Sequence, residues 1–176
     1  MATGDSRPPV VDLLEAEIPH LRRWARHLTR DPDLADDLVQ EGLLRAVRHA
    51  SQWSAGSNMK AWLFAIVRNA YISDRRLAQR RRNVLALGNC REPSAVGSQE
   101  SHIALTEVRS AFERLNDEHR EVLFMVAMER LPYEDAAIAL GVPVETIRSR
   151  LSRARVALKR ELEGRQARAR PYAQRA

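Results

Sequence analysis

The sequence predicts an all-α protein made of two small helical domains joined by a flexible linker. Three observations predict it. Apolar residues recur at helical spacing along nearly the whole chain. No run of alternating apolar and polar residues reads as a strand. Between Asn83 and Ile103 the periodicity fades into LALGNCREPSAVGSQES, rich in Gly, Ser and Pro. This divides the 176 residues into a helical domain over 10–82, a linker over 83–103, a second helical domain over 104–163 and a basic tail over 164–176 expected to be disordered. Each half is small, yet a helical domain of that size still buries an adequate apolar core.

After a disordered-looking start ending at Pro8-Pro9, Leu13, Leu14, Leu21, Trp24 and Leu28 are spaced for a first helix or helix pair, with Pro19 a candidate interruption. The next helix has Asp33 as its candidate N-cap, with Asp36 and Asp37 in the first turn, where the positive helix end favours them. Leu34, Leu38, Gly42 and Val47 or Ala46 then follow at core spacing. Ser-Ala-Gly-Ser-Asn interrupts the pattern between Trp53 and Asn58. A long helix resumes at Met59; its first half is apolar through Trp62, Leu63, Ala65, Ile66 and Val67, and its second half turns basic, ending in Arg80-Arg81-Arg82. Such an arginine run is commonly solvated or contacts phosphate without reading sequence, so it is assigned to nonspecific affinity.

Beyond the linker, helices are predicted over Leu105–Leu115 and over Asp117–Arg130, the latter capped by Asn116 or Asp117 with Val122, Leu123, Val126 and Ala127 as its inner face. The segment from Tyr133 to Lys159 reads as two helices broken at Gly141-Val142-Pro143. Ala136, Ala137 and Leu140 are small or apolar where the helices meet, and Ile147, Leu151, Ala154 and Leu158 form the second helix's core stripe. Opposite that stripe stand Arg148, Arg150, Arg153 and Arg155 with serines between them. Guanidinium forks and hydroxyls on a helix are the groups that reach guanine edges and phosphates in a major groove. The segment is therefore a candidate DNA-reading helix-turn-helix.

The net charge of +6 and a pI near 10.3 favour a polyanionic partner. The charge is unevenly placed. All formal charges from Asp31 to Leu44 are acidic, whereas Arg75–Arg82 and the chain after Arg148 are strongly basic, so one surface suits DNA and another suits a different partner. Cys90 is the single cysteine, which excludes an intrachain disulfide and a cysteine-cluster metal site. No apolar run approaches the roughly 18 to 20 residues of a membrane span, and MATGDSRPPVVDLL lacks the apolar middle of a secretory signal, so a cytoplasmic protein is expected. The five histidines form no close metal-ligand pair, and neither a phosphate-cradling Gly-rich loop nor a Ser or Cys nucleophile motif is found. Catalysis, a metal and a cofactor are accordingly not expected.

The order of motifs resembles the extracytoplasmic-function type of bacterial sigma factor, from about Leu13 to about Leu162. DLADDLVQEGLLRAVRHASQW followed by MKAWLFAIVRNAYISDRRL is similar to sigma region 2, and LNDEHREVLFMVAMERLPYEDAAIALGVPVETIRSRLSRAR is similar to region 4. SAGSNMKAWLFAIVRN resembles the subgroup that runs general stress responses in alphaproteobacteria. The resemblance implies that Asp37, Gln40, Glu41 and Arg45 dock on core RNA polymerase. It places Asn58 and Lys60 in the loop that captures a flipped base of the −10 element, with Asn69, Ser73, Arg75 and Arg76 along the strand. Extruding a base costs a few kcal/mol that a pocket and stacking groups must offset. Trp62 and Tyr71 are candidates for stacking, although an aromatic among Leu63, Ile66 and Val67 is more often core. In the −35 reading helix the resemblance places contacts on Arg148, Ser149, Ser152 and Arg153, with backbone amides near Thr146 and the cations of Arg155 and Lys159 meeting phosphates. Ser152 departs from the larger side chain often found at this position in the family it resembles, which leaves that contact open.

A linker of about 20 residues has a coil span of roughly 25 Å and an extended reach of roughly 66 Å, enough for two domains to touch sites one to two DNA turns apart. The resemblance also implies an anti-sigma protein that covers the polymerase- and promoter-binding surfaces. Two other readings of the residues remain: a free-standing helix-turn-helix transcriptional regulator, and an interaction protein whose basic faces hold an acidic inhibitor.

Overall fold

The computed structural model describes residues 10–84 and 101–169, with side chains over 13–80 and 107–164. Seven α-helices follow one another among the described residues: α1 (Val10–Thr29), α2 (Pro32–Arg48), α3 (Met59–Val84), α4 (Ser101–Glu113), α5 (Asp117–Leu123), α6 (Tyr133–Leu140) and α7 (Val144–Ala169). The chain divides into two compact units, residues 1–93 together with Ile138–Gly141, and residues 94–137 together with 142–176. Most of the expected linker, and Cys90, lie outside the described residues; its ends at 83–84 and 101–103 are helical. Helix α7 continues to Ala169, so the first part of the expected tail is helical as well, and 170–176 lie outside the described residues.

In the first unit α1, α2 and α3 pack mutually as a three-helix bundle. Helix α1 is one element and runs through Pro19, which is exposed. Its buried stripe of Leu14, Leu21, Trp24, Ala25 and Leu28 meets Leu63, Phe64, Val67 and Ala70 of α3 in the core. The Trp24 and Phe64 rings stack with centroids 5.7 Å apart, and the indole Nε1 donates to the Phe64 carbonyl at 3.3 Å, so the largest core side chain leaves no buried donor unpaired. His27 stacks on the other part of this cluster, 5.3 Å from the Trp24 ring. Burial, assisted by the nearby Arg30 cation, lowers its imidazole from 6.5 to about 4.

Two details of α2 differ from the sequence reading. The N-cap is Asp31, whose Oδ1 accepts from the amides of Asp33 at 2.9 Å and Leu34 at 3.1 Å; Asp33 lies in the first turn. Pro32 decides this, because proline suits the first helical position, where no amide hydrogen is needed, and the cap must precede it. The buried stripe is Ala35, Leu38, Val39, Gly42 and Ala46, whereas Leu34 and Val47 are each 56% exposed and are not core. Gly42 lets α2 approach α3: a Cβ there would stand 2.6 Å from Val67 Cγ2.

In the second unit α7 packs against α4 and α5. Asn116 caps α5, its Oδ1 accepting from the His119 amide at 2.8 Å. The predicted helix to Arg130 is not regular. After Leu123 it widens into a π-helical turn over Phe124–Met128. The wider turn rotates the inner face, so that Val122, Leu123, Phe124 and Met125 are buried while Val126 is half-buried and Ala127 exposed. Arg120 is buried beneath this surface and pairs with Asp117 at 2.9 Å.

Candidate nucleic-acid interface

The outer face of α2 carries the four residues assigned to polymerase. Asp37 and Gln40 are exposed, and Glu41 and Arg45 are half-buried and joined by a 2.7 Å ion pair one turn apart. Asp37, Gln40, Leu44 and Val47 follow at helical spacing on one stripe. Leu44 is 53% exposed. The acidic face is therefore interleaved with three apolar side chains, Leu34, Leu44 and Val47, and a mixed stripe of that kind fits a protein surface better than a polyanion. Of the residues expected at core spacing, Leu34 is outside, Ala46 and not Val47 is inside, and Leu44 joins the exposed face. The available signal was that two apolar stripes fit α2, of which only the one containing Ala35 and Val39 is buried.

The loop before α3 turns at Gly56, whose φ of 92° lies in the left-handed region. Asn58 caps α3: its Oδ1 accepts from the Ala61 amide at 3.2 Å, and its carbonyl accepts from the Trp62 amide at 3.1 Å. The residue assigned to base capture is thus also the one that starts the helix. Trp62 is half-buried, neither core nor free. From Ser73 to Arg80 every side chain is exposed, so this part of α3 presents all its faces. Helix geometry brings Asn69, Ser73 and Arg76 onto one stripe, turns Arg75 about 100° from Arg76, and sets Lys60 on the side opposite Asn69. The Ser73 hydroxyl donates to the Asn69 carbonyl at 2.8 Å, and the Arg75 guanidinium lies 5.6 Å over the Tyr71 ring. Arg81 and Arg82 continue the helix, but their side chains lie outside the description.

The turn between α6 and α7 is a Schellman closure. Gly141 has a φ of 63°, its amide donates to the Ile138 carbonyl at 3.2 Å, and the Val142 amide donates to the Ala137 carbonyl at 3.1 Å. Pro143 then supplies the carbonyl that accepts from the Thr146 amide at 2.9 Å, and α7 begins. Ile147, Leu151 and Ala154 are buried, and Leu158 is half-buried. With that stripe fixed inward, Arg148, Ser152, Arg155 and Lys159 share an outward stripe, with Ser149 and Arg153 beside it and Thr146 half-buried at its edge.

The four arginines of the motif are not equivalent. Arg150 is pinned to Glu118 of α5 at 2.9 Å, and its side chain is only 18% exposed. Arg153 folds back along α7, donating to the Ser149 carbonyl at 3.3 Å and hydroxyl at 3.2 Å. Lys159 stands 3.6 Å from Glu163. Arg148 and Arg155 are exposed and hold no partner among the described residues. The serine hydroxyl of position 149 also donates to Thr146, at 3.1 Å.

Comparison with known proteins agrees with both units. The family model described as the Sigma2 domain of PhyR matches residues 14–68, and that described as Sigma-70, region 4 matches residues 105–158. The chain is 39% identical over 151 residues to the ECF RNA polymerase sigma factor EcfG of Rhodopseudomonas palustris, covering 84% of this chain and 83% of that protein. It belongs to the ECF RNA polymerase sigma factors. A second relative, SigC of Mycobacterium tuberculosis, is 37% identical over 80% of this chain and 76% of its own length. Among solved structures, the sigma factor RpoE of Bartonella quintana, crystallised with the anti-sigma factor NepR, is similar with a TM-score of 0.71 and 33% identity, covering 88% of this chain and 96% of that one. In this sigma factor the region 2 match stops at Arg68, so Asn69, Ser73, Arg75 and Arg76 lie beyond it, and the region 4 match stops one residue short of Lys159. No helix among the described residues is long and apolar enough to cross a membrane.

Proposed function

We propose that this sigma factor directs core RNA polymerase to its promoters through three separate surfaces. The outer face of α2, with Asp37, Gln40, Glu41, Arg45 and the exposed Leu44 and Val47, docks on the polymerase. The loop 54–60 and the exposed part of α3, with Asn58, Lys60, Asn69, Ser73, Arg75 and Arg76, hold the opened −10 strand. Helix α7 reads the −35 element through Arg148, Ser149, Ser152 and Arg153, while the Thr146 amide, Arg155 and Lys159 meet phosphates. The domain boundaries 10–82 and 104–163 assign the first two surfaces to one module and the third to the other, with 83–103 as the tether.

One observation carries this reading: the chain exposes an acidic and apolar helix face in one unit and unpartnered arginines on the second helix of a helix-turn-helix in the other. Acidic charge repels phosphates, so the first face serves a partner other than DNA. The chain itself catalyses nothing; phosphodiester chemistry belongs to the polymerase, and the place of work is the cytoplasm. Its likeness to EcfG, and to RpoE bound by NepR, supports membership of the alphaproteobacterial general-stress subgroup and control by an anti-sigma protein. A free-standing regulator would have no use for the α2 face.

Purified protein added to core RNA polymerase tests the reading. Stable association and run-off transcription from a promoter set that core enzyme ignores is the expected result. Sequence-specific binding to duplex DNA with no capture of core enzyme at low salt would instead establish a free-standing regulator.

A further inference from the structure

Two non-glycine residues among those described have left-handed backbones, and both are arginines: Arg30, with φ 58°, and Arg130, with φ 54°. An L-residue with a Cβ is strained there, and such strain persists where the surroundings or a function hold it. Arg30 closes α1, its amide donating to the Arg26 carbonyl at 3.0 Å, and its cation is near enough to disfavour a charged His27. Arg130 is different. It follows the π-helical turn, and its left-handed backbone lets the Leu131 amide reach back to the Met125 carbonyl at 3.0 Å. Its side chain is exposed and holds no partner among the described residues, so no intramolecular contact accounts for an arginine where glycine would sit without strain.

The position of Arg130 in the motif suggests what does. Leu131 is buried and anchors the chain, Pro132 follows, and α6 starts at Tyr133. In a helix-turn-helix the second helix enters the groove while the first crosses the sugar–phosphate backbone. The first turn of α6 carries Glu134 and Asp135, which repel phosphate from that end of the helix. A guanidinium immediately ahead of them counters this repulsion and gives the backbone a bidentate donor. We propose that Arg130 is a positioning residue that clamps a DNA phosphate beside the −35 element, outside the reach of α7. It fixes register and contributes affinity without reading a base.

This inference rests on the reading of α6 and α7 as a DNA-docking motif, and the test separates the two. Holoenzyme reconstituted from the full chain and core polymerase binds a fluorescein-labelled promoter duplex, recovered by the wild-type holoenzyme from a randomised pool, between about 50 and 200 mM KCl. Arg130→Gly removes one phosphate contact, so the slope of log K against log salt falls in magnitude by about 0.9, equally for matched and mismatched −35 sequences. Arg130→Lys retains most of the slope. Because glycine relieves the left-handed strain, the Tm of Arg130→Gly is equal to or above that of the parent; a lower Tm would mark a structural role and overturn the proposal. An unchanged slope while Arg148→Ala weakens binding would overturn the clamp and leave the motif reading intact. Indifference to both substitutions would overturn the motif reading and the clamp with it.

Discussion

The two units solve the same problem, a small helical domain with a working surface, by different means. The first concentrates bulk: Trp24 and Phe64 stack at its centre, and three apolar stripes close over them. The second has no tryptophan; Phe124, Met125, Ile147 and Leu151 fill its core, and ion pairs brace α7, Arg114 to Glu161 at 2.7 Å and Arg150 to Glu118 at 2.9 Å. Exposed pairs of this sort contribute about 0.2 to 1 kcal/mol each. The contrast teaches how to sort charges. On α2 the arginine of the working face is neutralised by Glu41, leaving acid and leucine outermost, whereas on α7 one arginine braces the fold and others point to solvent.

The largest expected effect tests whether the units fail separately. His27 has a folded pKa of about 4 against 6.5 for the free side chain, so as pH falls the unfolded chain takes up this proton first. Its contribution is complete above about pH 6.5 and declines toward pH 4, by about 3 kcal/mol across that window. Trp24, Trp53 and Trp62, the only three tryptophans, all lie in the first unit, so their fluorescence during urea unfolding at pH 7 and pH 5 reports it alone. The fluorescence midpoint should drop at pH 5, and His27→Leu should remove that part of the drop; a midpoint insensitive to pH would contradict the burial of this imidazole.

Next in size is the contrast within α7. Arg148→Ala should cost about 2 kcal/mol, roughly 30-fold, in discrimination between matched and mismatched −35 sequences with Tm unchanged. Arg150→Ala should lower Tm by the equivalent of about 0.5 to 1 kcal/mol and leave discrimination intact. Reversed outcomes would mean that the paired arginine is the reader. On α2, Leu44→Ala combined with Val47→Ala should weaken core-polymerase binding about tenfold, measured by competition with wild-type protein, while sparing DNA selection. Loss of thermal stability in that variant would place these side chains in a core that the structure does not show.

The smallest effect separates two duties of one residue. Asn58→Ala should destabilise the first unit by about 1 kcal/mol through loss of the cap, whereas Asn58→Asp keeps a capping oxygen and should leave stability unchanged. If promoter opening, followed by permanganate reactivity of −10 thymines, fails only where stability also falls, Asn58 acts as a cap and not as a base-binding group.

Helical periodicity and punctuation made the architecture legible: the break at 54–58, the Gly141 turn and the stripe of Ile147, Leu151 and Ala154 all stand where the residues place them. Details that depend on one residue of phase were not. Acidic residues at both 31 and 33 suit a helix start, and it is Pro32 at the first helical position that selects Asp31 as the cap. Spacing alone leaves Leu34 inside and does not choose between Val47 and Ala46, because α2 carries two apolar stripes of similar merit; Ala46 is the buried one, and the π-helical turn after Leu123 has no period of its own to detect. The site residues were legible as chemical types, yet which arginine is held and which is free was not.

By itself the sequence determined that this chain folds as two helical modules, with an acidic stretch in α2 and basic stretches at the end of α3 and along α7, because period, caps and charge are local properties. Only the tertiary structure decided which stripe of α2 faces inward, that Arg150 is braced by Glu118, that His27 is stripped of solvent, and that Arg130 stands strained and exposed. Those outcomes depend on what lies opposite each residue across a helix interface, and that neighbour is distant in the chain.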